Sequence, residues 1–221
     1  MSGWSDRLRR FQPFRRELKY KSGAVAFETV ASSMGAAVLQ YLGKHHTLSE
    51  LDLSGIDLRL RDNLRGVHGY SARFDGAKFG PTQNLYMRDS RDYGSRDMSP
   101  PERGIQSANL EATNFTGSSF RNAVMTMVIA RNADFTNCDM TNADLRNADF
   151  TGAKFEGANL TGVRIDSRTL FSEGAFEGAR NIDKAVIVDF QGRAIEHARL
   201  TERGIVMPLR PSAPTDGGFG L

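Results

Sequence analysis

The sequence predicts an all-β fold: a solid, four-sided parallel β-helix, preceded by a helical segment and followed by an irregular extension. Three observations predict it. From position 105 to 170 every fifth residue is Ile105, Leu110, Phe115, Phe120, Met125, Ala130, Phe135, Met140, Leu145, Phe150, Phe155, Leu160, Ile165 and Leu170, all large and apolar but Ala130. Two residues earlier the side chains are mostly small, as at Ala108, Ala123, Ala133, Cys138, Ala143, Ala148, Ala153 and Ala158. Two residues later, from 107 to 162, stand Asn122, Asn132, Asn137, Asn142, Asn147, Gly117, Gly152, Gly157 and Gly162, broken only by Ser107, Ala112 and Met127.

A period of five is neither that of a helix nor that of a strand. It arises when a short extended piece is followed by a corner, repeatedly. Two inward positions two residues apart lie on one face of a strand. Gly and Asn suit the corner because they accept left-handed backbone at low cost. Corners of about a right angle close a coil in four repeats, and coils then pair at roughly 4.8 Å. Residues twenty apart must stack. The ladders Ile105–Met125–Leu145–Ile165, Leu110–Ala130–Phe150–Leu170, Phe115–Phe135–Phe155 and Phe120–Met140–Leu160 are all apolar. Each buried large side chain contributes about 1.5–3 kcal/mol before entropy is subtracted.

The flanking elements follow in chain order. Residues 1–22 form a basic arm: Arg7, Arg9, Arg10, Arg15 and Arg16 lie among Trp4, Phe11 and Phe14. Basic residues interleaved with aromatics can grip nucleic acid or an acidic protein surface; the competing reading is a solvated terminus. Residues 23–47 carry a helical stripe of Phe27, Val30, Met34, Val38, Tyr41 and Leu42. Such a helix caps the open end of a repeat stack or makes a partner contact. Residues 48–180 hold the β-helix. Leu51/Leu53, Ile56/Leu58, Ala72/Phe74 and Ala77/Phe79 fit its pattern, with a frame slip of one residue between Leu60 and Gly69. About five coils in all would stand roughly 24 Å tall. Residues 80–104 break the pattern as a long, Pro-containing loop whose Tyr86, Met87, Arg88, Arg91 and Tyr93 are contact-type side chains. In the extension, 181–221, residues 185–190 read as a strand and 195–203 as a short helix, before a Gly/Pro-rich tail.

The run Ala143-Asp144-Leu145-Arg146-Asn147, Ala148-Asp149-Phe150-Thr151-Gly152, Ala153-Lys154-Phe155-Glu156-Gly157, Ala158-Asn159-Leu160-Thr161-Gly162 resembles the pentapeptide-repeat family. The resemblance covers at least residues 103–170. It implies a right-handed quadrilateral β-helix, a pentapeptide-repeat solenoid; the handedness comes from the resemblance alone. Some members of the family mimic DNA, bind type II topoisomerases and protect them from quinolones or toxins.

Composition bounds the chemistry. The 221 residues carry a net charge of +3, and residues 1–47 account for it with eight Lys/Arg against three Asp/Glu. The repeat body from 105 to 179 has nine acidic and six basic residues. The lone cysteine, Cys138, excludes an intrachain disulfide and sits at an inward small-residue position. No apolar run is long enough for a membrane span. The Arg-rich, acid-poor start also reads as an organelle presequence. His45, His46, His68 and His197 lack metal-ligand spacing, so no metal or other cofactor is expected. Asp134, Asp139, Asp144 and Asp149 point outward on four sides and cannot converge on one substrate. No phosphate-binding Gly motif occurs, and no enzyme is expected.

Two function classes remain. The first is a non-catalytic interaction or structural subunit, a rigid post whose loop and termini bind partner proteins in a large assembly such as a virion, or self-associate. A cytoplasmic or virion-associated location goes with it, and nucleic acid enters only through the basic arm. The second is the DNA-mimicking topoisomerase or gyrase partner; Arg121, Arg131 and Arg146 interrupt the negative face it requires. One surface stretch stands out. Inward positions 123, 125, 128 and 130 leave Val124, Met127 and Ile129 pointing out around one corner, and Met127 stands where Gly or Asn is expected. Adjacent outward apolar residues of this kind mark a contact, covered by the helix, by the loop, by a partner or by a second copy.

Overall fold

The structure is a computed structural model that describes residues 14–59, 64–80, 107–189, 191–196, 198–201 and 204–206. Parallel bridges between outward positions run in four columns. The first holds Thr47, His68, Asn114, Asp134 and Lys154; the second Asp52, Arg73, Ser119, Asp139, Asn159 and Arg180. The third holds Asp57, Lys78, Val124, Asp144, Arg164 and Val186; the fourth Asn109, Ile129, Asp149 and Leu170. From Asn109 to Arg164 successive rungs are twenty residues apart, the spacing that four five-residue repeats require. Six rungs in the second column span about five spacings, roughly 24 Å.

Departures from twenty locate the irregularities. Thr47 to His68 takes twenty-one residues, which is the expected one-residue slip. His68 to Asn114 takes forty-six, so the chain leaves the stack after Lys78 and rejoins it at Asn109. The last coil adds a residue between Asp149 and Leu170. There the Thr169 hydroxyl bonds Asp166 and the Leu145 carbonyl, closing a longer turn. The added residue reverses the inward–outward alternation. Leu170, expected inside, is therefore 41% exposed, and Phe171 stacks on Phe150 in its place, with centroids 5.8 Å apart.

The interior is filled. Phe115, Phe120, Met125, Phe135, Met140, Leu145, Phe150, Phe155, Leu160 and Ile165 are fully buried. The phenylalanine ladder stacks as expected, at 5.7 Å for Phe115–Phe135 and 5.4 Å for Phe135–Phe155, and continues to Phe176 at 5.3 Å. Gly69 occupies the rung below Phe115, and an added Cβ there would lie 2.7 Å from the Phe115 ring. The small residue makes room for a neighbour too large for its own rung.

The N-terminal segments differ from expectation. Residues 14–22 are not an arm: β1 (Phe14–Tyr20) and β2 (Val25–Ala31) form an antiparallel hairpin with a register shift at Leu18/Lys19. The stripe assigned to a helix over 23–47 is split. Its first third is β2, whose β-branched and aromatic residues favour a strand, and only α1 (Met34–His45) is helical. Ser33 caps α1 by accepting from the Ala36 N–H, and a left-handed His46 ends it. α1 packs on both strands of the hairpin. Its buried Ala37, Val38, Tyr41 and Leu42 join one apolar cluster with Leu18, Leu48 and Leu51. β1 also pairs with β3 (Leu51–Asp52), so hairpin and helix together close the first coil.

At the other end β4 (Asp149–Phe150) pairs with β6 (Leu170–Phe171), and β5 (Arg164–Asp166) with β7 (Val186–Val188). Residues 199–203 were expected within a helix; instead β8 (Arg199–Thr201) pairs antiparallel with β9 (Gly204–Val206). Among the described residues no helix is long and apolar enough to cross a membrane.

Candidate protein-interaction surface

The corner geometry explains the repeat's polar residues. Every corner Asn from 122 to 147 has a left-handed φ between 56° and 59°. Met127 adopts φ 60° with none of the amide chemistry that makes this cheap. Where glycine follows asparagine one coil on, the asparagine uses the space: an added Cβ on Gly157 would lie 2.2 Å from Asn137 Oδ1.

The outward aspartates do not converge. Asp134, Asp139, Asp144 and Asp149 fall in four different columns. Three are engaged twice. The Asp139 carboxylate accepts the Thr141 N–H and a bond from Arg121; Asp149 accepts the Thr151 N–H at 3.0 Å and a bond from Arg131; Asp144 pairs with Arg146. Partial burial pushes the Asp139 and Asp149 carboxyls up, but the threonine and arginine bonds outweigh it and hold both below the usual carboxylate range. Asp149 takes an outward position, as expected, but is only 7% exposed because Arg131 covers it. Cys138 is buried, and its Sγ donates to the Phe115 carbonyl at 3.0 Å. Loss of hydration pushes its thiol up to about 12, so it is no nucleophile. Among the described residues no group of three His, Cys, Asp or Glu could hold a metal.

The apolar corner lies where the sequence put it. Ile129 is 39% exposed, and Val124 and Met127 are half-buried. The corner stands one rung above the point where the chain leaves and rejoins the stack: the Gly80 N–H donates to the Val124 carbonyl, and the Ile129 N–H to the Ala108 carbonyl. Sequence reasoning missed Leu170, which stands on the same column as Ile129 with Asp149 between them. The signal was Phe171, an aromatic one place beyond the five-residue frame.

The other predicted contacts divide. Arg15 and Arg16 lie on β1, Arg15 paired with Glu28 and Arg16 over the Phe14 ring at 5.5 Å. Arg7, Arg9, Arg10, Tyr86, Met87, Arg88, Arg91 and Tyr93 fall outside the described residues.

A family model described as pentapeptide repeats matches residues 106–142 and 131–165 in eight copies. Residues 106–165 are pentapeptide repeats. A comparison with curated protein sequences finds no match. Among solved structures, the chain is similar to a pentapeptide repeat protein from the Arabidopsis thaliana thylakoid lumen, at 26% identity and a TM-score of 0.31. That match covers 46% of this chain and spans only 58% of the Arabidopsis one. A pentapeptide repeat protein from the cyanobacterium Cyanothece 51142 is similar at 18% identity and a TM-score of 0.31, covering 61% of this chain and 97% of its own. QnrB1, a plasmid-mediated fluoroquinolone resistance protein, is similar at 15% identity and a TM-score of 0.35, covering 66% and 61%.

Proposed function

We propose that the protein is a non-catalytic interaction or structural subunit. Its scaffold in this reading is the right-handed quadrilateral β-helix that pentapeptide repeats imply. The observation that carries the reading is the apolar corner of Val124, Met127 and Ile129 on a stack whose interior is filled with side chains. A filled interior offers a small substrate no chamber, whereas an exposed apolar corner on a rigid post offers a protein a fixed contact. The inserted segment contributes contact-type side chains, Tyr86, Met87, Arg88, Arg91 and Tyr93, to this reading, and its flanking residues Gly80 and Ala108 bond to the rung of that corner. Arg7, Arg9 and Arg10 supply a basic second contact.

Affinity capture from the native source, comparing wild type with Met127→Asn/Ile129→Asp and with a deletion of 82–102, tests this. The expected result is loss of a specific protein partner at unchanged melting temperature. Capture unaffected by either change overturns the reading.

The DNA-mimic alternative requires an unbroken negative face, and Arg121, Arg131 and Arg146 each neutralise an aspartate on the surface. Purified protein is expected neither to inhibit gyrase supercoiling nor to relieve quinolone inhibition; an effect in either assay reverses the ranking.

A further inference from the structure

The fourth column has an arrangement that matches itself. Reading up it, Ile129, Asp149 and Leu170 occupy successive rungs, exposed, buried and exposed. Asp149 is closed off by Arg131, so the two apolar side chains flank a neutralised centre. At the corner that follows Ile129 stands Arg131, 58% exposed at its side chain. At the equivalent corner after Leu170 stand Ser172 and the exposed Glu173. Rotate a second copy by half a turn about a line through Asp149 and parallel to the strands. Ile129 then meets Leu170 of the second copy, Leu170 meets its Ile129, and each Arg131 meets a Glu173. Ile129 and Leu170 face each other and the opposite charges of Arg131 and Glu173 meet, while Met127 lies against the Arg168 side chain, in an isologous two-fold contact. The other two-fold arrangement, about a line along the stack, pairs Ile129 and Leu170 each with itself and sets Arg131 against Met127, where its charge meets no acid.

We infer that this face is a homodimer contact, with two stacks packed antiparallel through Ile129 and Leu170. One face is at most roughly 16 Å by 24 Å, so the contact falls below the about 1,200 Å² lower bound of stable interfaces and the dimer exchanges readily. The inference deepens the interaction reading by naming a second copy as one partner of the surface.

Covalent trapping of purified protein tests it. In the antiparallel dimer, position 129 of one copy faces position 170 of the other. Within one chain they stand two rungs apart, about 9.6 Å, too far for a disulfide. Positions 129 and 129 of the two copies are separated by the same two rungs. Mild oxidation of Ile129→Cys/Leu170→Cys is therefore expected to give a covalent dimer on non-reducing gels, while Ile129→Cys alone gives none. Cys138 is buried and does not compete. Adding Glu173→Lys to the double variant is expected to reduce the trapped fraction several-fold. A double variant that stays monomeric across a concentration series overturns the inference, including the case in which residues 81–106 of the same chain cover the face. Cross-linking by Ile129→Cys alone overturns it too, since it indicates a different docking. The assay contains no other protein, so its failure leaves the partner-capture result standing.

Discussion

At the residue scale, the left-handed corners set the cost of substitution. Gly157 has φ 65° and carries the Asn137 amide against its Cα, so Gly157→Ala should lose about 1–2 kcal/mol from backbone strain. Met127→Asn restores corner chemistry at φ 60°, and its denaturant midpoint should match or exceed wild type. Cys138 should resist alkylation in the native state and react fully once unfolded. Its folded thiol titrates at about 12, above the ordinary 9.0. The resulting stability is complete below pH 9.0 and is lost as pH rises toward 12. A Cys138→Ala variant should flatten that alkaline decline; an equally steep decline assigns it to other groups.

At the scale of elements, the aromatic ladder and the end caps do different work. Phe135 stacks between Phe115 and Phe155 at the middle of the stack. Phe135→Ala leaves a cavity that rigid neighbours on both rungs cannot fill, and equilibrium unfolding should register a loss of about 3–5 kcal/mol. The hairpin and α1 cap the first coil by pairing its backbone edge and covering its apolar end. Repeat stacks depend on such caps because an open end exposes both unpaired backbone and core. Their identity was only half legible: Phe27, Val30, Met34 and Val38 recur at helical spacing, yet β2 pairs with β1 through six residue pairs. A long-range pairing overrode the local period.

At the scale of the whole molecule, acid stability follows from the surface aspartates. Arg59 holds Asp57 below the usual carboxylate range; at Asp52, Asp139 and Asp149 partial burial acts upward but hydrogen bonds and arginines prevail. Depressed carboxyls stabilise the fold above their unfolded values, and that contribution is lost as pH falls through the folded ones. Asp149→Asn should cost about 1.5–3 kcal/mol at neutral pH, the worth of a hydrogen bond to a charged group, and progressively less in acid. An undiminished difference at low pH would show that shape rather than charge matters there. What the sequence determined by itself is the repeat: which residues point inward, where the corners fall, and that Val124, Met127 and Ile129 face out. Those follow from a strictly local period, since every five residues repeat the same backbone path. Tertiary structure decided the rest. One added residue near Asp166 turned Leu170 outward and Phe171 inward; Phe171 hints at it in the sequence, but the pairing of Asp149 with Leu170 decides it. The hairpin at residues 14–31 likewise depends on an edge that exists only once the first coil has formed, because a strand is stabilised by partners remote in sequence.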